Sequence, residues 1–101
     1  MRLLRYRNNS NNELDNARDV THIIFDESVT IIRAYAFKNY LKLVSVTMSD
    51  TVVTIEREAF SNCPRLKFVR LSTILRRIGE SAFMNCIAMN TIILSYVIIN
   101  Q

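Results

Sequence analysis

Three phenylalanines, Phe37, Phe60 and Phe83, stand 23 residues apart, and the surrounding sequence repeats in step with them. The blocks AFKNY, AFSNC and AFMNC occupy residues 36–40, 59–63 and 82–86. Ile32, Ile55 and Ile78 precede each block at one distance. Leu43, Leu66 and Met89 follow it, and then Val46, Val69 and Ile92. A fixed short period of this kind marks a solenoid, in which each repeat is one coil stacked on its neighbours. Such a chain has little room for most enzyme architectures, so the period points to a binding or scaffolding surface.

The register begins at Val20. Val20, Ile23 and Phe25 align with Leu43, Val46 and Met48, then with Leu66, Val69 and Leu71, then with Met89, Ile92 and Leu94. The second half of this apolar-x-x-apolar-x-apolar pattern alternates, which reads as a short strand buried on one face. Because each coil returns its strand beside the previous one, the sheet is expected to be parallel. A second apolar pair, Val29/Ile32, Val52/Ile55 and Leu75/Ile78, with Ile98 in the last coil, predicts a second extended segment opposite the first. Residues 33–39, 56–62 and 79–85 are expected to form one or two helical turns, with Ala allowing close approach and Phe plugging the core.

Residues 1–19 lie outside this register and read as a polar leader, either a cap over the first coil or a tail, with one helical turn over 12–19. Residues 20–101 make a solenoid of about three and a half coils. Its last coil has a strand but no Ala-Phe block, and the closing TIILSYVIINQ is apolar, β-prone and uncharged. An uncapped edge of that kind can pair with another chain. It is compatible with a fragment of a longer repeat protein, with end-to-end association, or with a fold-back cap.

The chain has 101 residues, half of them hydrophobic, which is one small domain with enough apolar material for a core. One Gly and one Pro are few for so many turns. Asn and Ser therefore take turn positions, Asn because it tolerates left-handed backbone. The net charge of +4 favours acidic partners weakly and falls short of a nucleic-acid footprint. No apolar run approaches the ~20 residues of a membrane helix, so no membrane insertion is expected. The opening MRLLRYRNNSNN lacks the apolar stretch of ~7–15 residues of a secretory signal, which leans intracellular. The glycosylation pattern at Asn8-Asn9-Ser10 is then a chance match.

Three columns recur with the period. Asn39, Asn62 and Asn85 suit a left-handed cap at the end of each helical turn. Two Cys one coil apart could pair, but Tyr40, Cys63 and Cys86 read as a core column that needs filling, with reduced thiols as small apolar residues, because Tyr holds the same place in the first full repeat. Met48 and Met89 fall in core columns. No CxxC or Cys/His spacing suggests zinc, and no cofactor is implied.

The strings VTIIRAYAFKNYLKLVSVTM, VVTIEREAFSNCPRLKFVRL and RRIGESAFMNCIAMNTIIL resemble the BspA-like leucine-rich repeat, roughly V-T-x-I-G-x-x-A-F-x-x-C-x-x-L-x-x-V-x-L. The resemblance covers residues 20–101, and DVTHIIFDESVTIIRAYAF looks most like versions from large algal repeat families. It implies an α/β solenoid, a right-handed superhelix with parallel strands and short helical turns, used for protein interaction or adhesion and without a catalytic centre. Arg33 and Glu56 replace the family Gly, which Gly79 retains. Asp26, Ser49, Ser72 and Ser95 stand where the family often has Pro.

In such a solenoid the outward strand residues line one continuous surface. Here they form the columns His22, Ser45, Phe68, Thr91 and Ile24, Thr47, Arg70, Ile93. These eight are the candidate partner-binding residues, with Phe68 beside Arg70 as the anchor, since aromatic and Arg side chains dominate interface energetics. The competing reading is ordinary strand surface. Arg65, Lys67, Arg70, Arg76 and Arg77 cannot share one face and read as a solvated basic flank. The lone His22 and scattered carboxylates suggest no nucleophile–base set, so no enzyme is expected. The alternative function is an assembly unit that associates end to end through its C-terminal coil edge.

Overall fold

The computed structural model describes residues 1–8 and 19–89, and the backbone of 91–93. Eight short strands follow in chain order: β1 (Leu3–Tyr6), β2 (His22–Phe25), β3 (Ile31–Ile32), β4 (Ser45–Thr47), β5 (Thr54–Ile55), β6 (Phe68–Arg70), β7 (Arg77–Ile78) and β8 (Thr91–Ile93). They form two parallel sheets, one of order β1-β2-β4-β6-β8 and one of order β3-β5-β7. The register is the period itself: Ile23 pairs with Val46, Val46 with Val69, and Val69 with Ile92. Ile32, Ile55 and Ile78 pair likewise on the second sheet. The chain is therefore a solenoid with a strand on each of two sides of every coil. The helical turn over 12–19, Ile98 and the apolar stretch after Ile93 lie outside the described residues.

The leader contributes structure that the 23-residue period does not reveal. Leu3–Tyr6 adds to the sheet beside β2, with Leu3 opposite His22 and Tyr6 opposite Phe25. The separation is 19 residues instead of 23. Leu4 and Tyr6 turn inward onto the core, and Leu3 and Arg5 face out. Thr21 fastens this strand: its hydroxyl accepts from the Arg2 amide at 2.9 Å, and its own amide donates to the Arg2 carbonyl at 3.0 Å.

The expected helical turns are not helices. Residues 33–39, 56–62 and 79–85 are chains of tight turns. Each contains two residues of left-handed backbone: Tyr35 and Asn39, Glu58 and Asn62, Ser81 and Asn85. Such residues interrupt a helix, and each non-Gly member costs about 1–2 kcal/mol of backbone strain. Lateral hydrogen bonds offset that cost. The amides of Tyr35, Phe37 and Asn39 donate to the carbonyls of Arg57, Ala59 and Ser61 in the next coil, the middle bond at 2.7 Å. Glu58, Phe60 and Asn62 repeat the pattern against Glu80, Ala82 and Met84. The intervening amides close turns within the coil, as Ala36 to Arg33 and Lys38 to Tyr35. The Asn column thus has the left-handed backbone expected of it, without a helix to cap. The side chains also join coils, Asn62 Nδ2 donating to Asn39 Oδ1 at 2.7 Å.

Two of the positions where the family carries Pro, Asp26 and Ser72, are turns closed by side chains. Asp26 accepts from the Ser28 amide at 2.8 Å, and Ser72 Oγ accepts from the Ile74 amide at 3.2 Å. Ser49 Oγ reaches the preceding coil and donates to the Asp26 carbonyl. Short polar side chains that bond their own backbone pre-form such turns without Pro.

The core is a stack of aromatic rings flanked by aliphatic columns. Phe37 and Phe60 are fully buried and stack at 5.3 Å, and Phe60 stacks on Phe83 at 5.3 Å. Tyr6 closes the N-terminal end, edge-on to Phe37 at 5.1 Å and tilted against Phe25 at 5.3 Å. Val20, Ile23, Leu43, Val46, Met48, Leu66 and Val69 are buried as their columns require. Ile78 is the exception at 50% exposed, because no described coil covers its far side. Gly79 is set by contact: a Cβ there would lie 2.5 Å from the Arg57 amide nitrogen and 2.6 Å from the Glu56 carbonyl carbon.

Two stability results follow. Phe60→Ala should lower the unfolding free energy by about 3–5 kcal/mol, and Phe83→Ala by clearly less, because Phe83 is only partly buried. Gly79→Ala should cost about 1–3 kcal/mol or more by overpacking against backbone. Urea unfolding midpoints check both; equal losses at residues 60 and 83, or an unmoved midpoint for Gly79→Ala, contradict them.

Candidate partner-binding face

The outer face of the five-stranded sheet carries two rows of side chains in register. One is Leu3, His22, Ser45, Phe68, Thr91; the other is Arg5, Ile24, Thr47, Arg70, Ile93. All eight residues singled out from the sequence therefore fall in two rows, although the side chains of Thr91 and Ile93 are outside the described residues. Leu3 and Arg5 extend the rows by one strand. Five strands at ~4.8 Å span roughly 20 Å. The signal for the added strand was the inward alternation of Leu4 and Tyr6, hidden by its shorter spacing from β2.

Phe68 is the most exposed large hydrophobic side chain of the described rows, at 42%, and the Lys67 ammonium lies 5.7 Å from its ring centre. Arg70 is held in place. Its Nη1 donates to the Met48 carbonyl at 3.0 Å and stands 3.5 Å from the Asp50 carboxylate. His22 Nδ1 sits 2.7 Å from the Thr21 hydroxyl, so the ring is tied to the group that fastens β1. Ser45, Thr47 and Ile24 are half-buried between these groups.

Beside the second row opens a groove of about 580 Å³. Arg5, Ile24, Thr47 and Arg70 line one side, and the strand-end turns, including Asp26, Ser49 and Asp50, line the other. The two rim aspartates are held charged. Hydrogen bonds from the Ser28 side chain and amide keep the Asp26 pKa below the usual carboxylate value. The amide of Thr73, donating at 2.9 Å, does the same for Asp50. The sequence columns stop at the strand ends and so missed this rim.

The basic residues at 65–77 are divided between faces: Arg70 lies on the outer face of β6, and Arg77 lies on β7 of the other sheet. Among the described residues no three of His, Cys, Asp and Glu come together as a metal-ligand set.

Residues 9–100 match the family model described as BspA type leucine rich repeat region (6 copies). The chain belongs to the BspA-type leucine-rich repeat family. Among solved structures it is similar to a leucine rich cell surface protein from Faecalibacterium prausnitzii A2-165, with a TM-score of 0.74 and 28% identity. That likeness covers 81% of this chain and 21% of the other, so the chain spans about a fifth of its neighbour's length. No curated protein matches it. Family and neighbour together make this a leucine-rich repeat protein.

Two measurements check the site's construction. Thr21→Val should release β1, seen as faster hydrogen exchange at Leu4 and Tyr6 with Val46 and Val69 unchanged; uniform protection would contradict the anchor. Asp26 and Asp50 have folded-state pKa values below their unfolded ones. Their contribution is present above about pH 4 and is lost as the pH falls through the lower folded values. The urea midpoint should therefore drop between pH 7 and pH 3, and Asp50→Asn should make that drop shallower.

Proposed function

We propose that the chain is a non-catalytic protein-binding module that engages its partner through the outer face of the five-stranded sheet. The observation that carries this reading is the alignment of Phe68, Arg70 and Arg5 with half-buried Ile24 and Thr47 beside an open groove. A pinned Arg loses little conformational freedom on binding, and an exposed ring with a cation on its face supplies large contact area. The strip is small for a standard protein interface. It suits a short extended segment, or a part of the larger surface that a longer solenoid would present.

A peptide library selected on the full chain tests this reading. Binders should lose at least tenfold in affinity, about 1.4 kcal/mol, on Phe68→Ala or Arg5→Ala, with the melting temperature unchanged. Binders indifferent to both changes would place recognition elsewhere. Arg70→Ala is less clean, because it also removes the bond to Met48.

The second reading, an assembly unit, is favoured by one observation. Ile78, Met84 and Ile87 are 50%, 47% and 84% exposed toward the C-terminal end. Under that reading coils stack end to end, and adhesion becomes a property of the array. Ile87→Glu should then shift light-scattering mass toward monomer, while Phe68→Ala should not.

A further inference from the structure

Cys63 and Cys86 occupy the same position in successive coils, and both are free thiols. Each reaches toward the coil before it. Cys63 Sγ donates to the Phe37 carbonyl at 3.2 Å, and Cys86 Sγ donates to the Phe60 carbonyl at 3.1 Å. Cys86 therefore already points into the segment that contains Cys63. Stacked parallel coils set successive backbones ~4.8 Å apart. That separation lies inside the Cα range of about 4.4–6.8 Å that a disulfide spans. Only the outer thiol is accessible: Cys63 is fully buried and Cys86 half-buried.

We propose that Cys63 and Cys86 form a redox-sensitive staple between coils, closed by exchange with a small-molecule disulfide and opened by a dithiol. The half-buried Cys86 thiolate attacks one sulfur of the external disulfide. That S–S bond breaks, a first small thiolate leaves, and a mixed disulfide remains on Cys86. Cys63 then attacks the Cys86 sulfur and passes its proton to the second leaving thiolate. The two protein thiols are oxidised to one disulfide, and the external disulfide is reduced to two thiols. The order of attack fits the environments. The influence of Cys86 and then burial raise the Cys63 pKa, so Cys63 keeps its proton, and the influence of Cys63 lowers the pKa of the outer thiol. A lower pKa and exposure both select the attacking thiol.

The staple would clamp the coil that leads into β6 to the coil that leads into β8. Tyr40 holds this position one coil earlier, so the bond joins only those two coils and leaves the N-terminal stack unlinked.

The test is incubation of the reduced full chain with oxidised glutathione, followed by intact mass and a non-reducing tryptic map. Trypsin separates the two cysteines into peptides 58–65 and 78–101. The expected result is loss of two hydrogens, a monomer by light scattering, and those two peptides linked. Cys63→Ala should trap the glutathione adduct on Cys86, and Cys86→Ser should leave no adduct. If Cys63→Ala fails to fold, the wild-type map alone decides. A persistent adduct on wild-type Cys86, unreacted thiols, or a bond between two chains would each overturn the staple.

Discussion

Every coil must bring its backbone back to the height at which the previous coil can accept its hydrogen bonds. The rest of the structure depends on that return. With 23 residues per coil, the two strand segments meet their predecessors in parallel register, and the turn amides between them find carbonyls one coil away. Side chains then face copies of their own position. A residue type that satisfies one coil satisfies the next, so the columns persist. Phe60 lies on Phe37, Asn62 bonds Asn39, and Cys63 and Cys86 bond the carbonyls of Phe37 and Phe60. Ser49 and Thr51 do the same toward the carbonyls of Asp26 and Val29. Each of these pairs links consecutive coils, which is why solenoid stability behaves as a sum of nearest-neighbour terms.

The parts of the fold legible in the sequence are those that repeat. Strand register, the two-sheet arrangement, the buried columns and the left-handed Asn positions all follow from residues at equal spacing. What escaped was either aperiodic or non-local. Leu3–Tyr6 pairs with β2 at a shorter separation, so a search locked to the period leaves it in the leader. The Ala-Phe segments read as helix because Ala and Phe compact readily and nothing nearby forbids it. Their amides are diverted to the next coil, and Tyr35, Glu58 and Ser81 hold left-handed backbone although none is Gly or Asn. Local propensity cannot report such a choice, because the partner that stabilises it lies one coil away. The face was legible by alternation alone. Arg5 and the groove rim were not, since they depend on the added strand and on the strand-end turns.

The two ends of the stack differ in a way that bears on function. At the N-terminal end Tyr6 lies edge-on against Phe37 and tilted against Phe25, and Thr21 bolts the strand that carries it. The aromatic stack is closed there. Toward the other end Phe83 is only partly buried and Ile78 is half exposed, although their counterparts Phe60 and Ile55 are fully buried. Among the described residues this end is the less buried one, and nearest-neighbour stability makes it the weaker. Cys63 and Cys86 lie at that weaker junction, where a covalent tie between coils changes the most.

Inward and outward positions obey different rules, and this division is what makes the fold useful for recognition. An inward residue must fit its copies above and below, so Ile23, Val46 and Val69 are nearly interchangeable. An outward residue has no copy of itself to fit inside the core. His22, Ser45 and Phe68 share one row, and Ile24, Thr47 and Arg70 the other, with no common chemistry within either. The core therefore fixes the spacing of the face and leaves its identities free. Arg70 shows how a free position becomes a specific one: its guanidinium is pinned by a carbonyl of the preceding coil and faces the Asp50 carboxylate. The periodic frame supplies both partners, and the single aperiodic choice of Arg turns them into a fixed, charged edge beside Phe68.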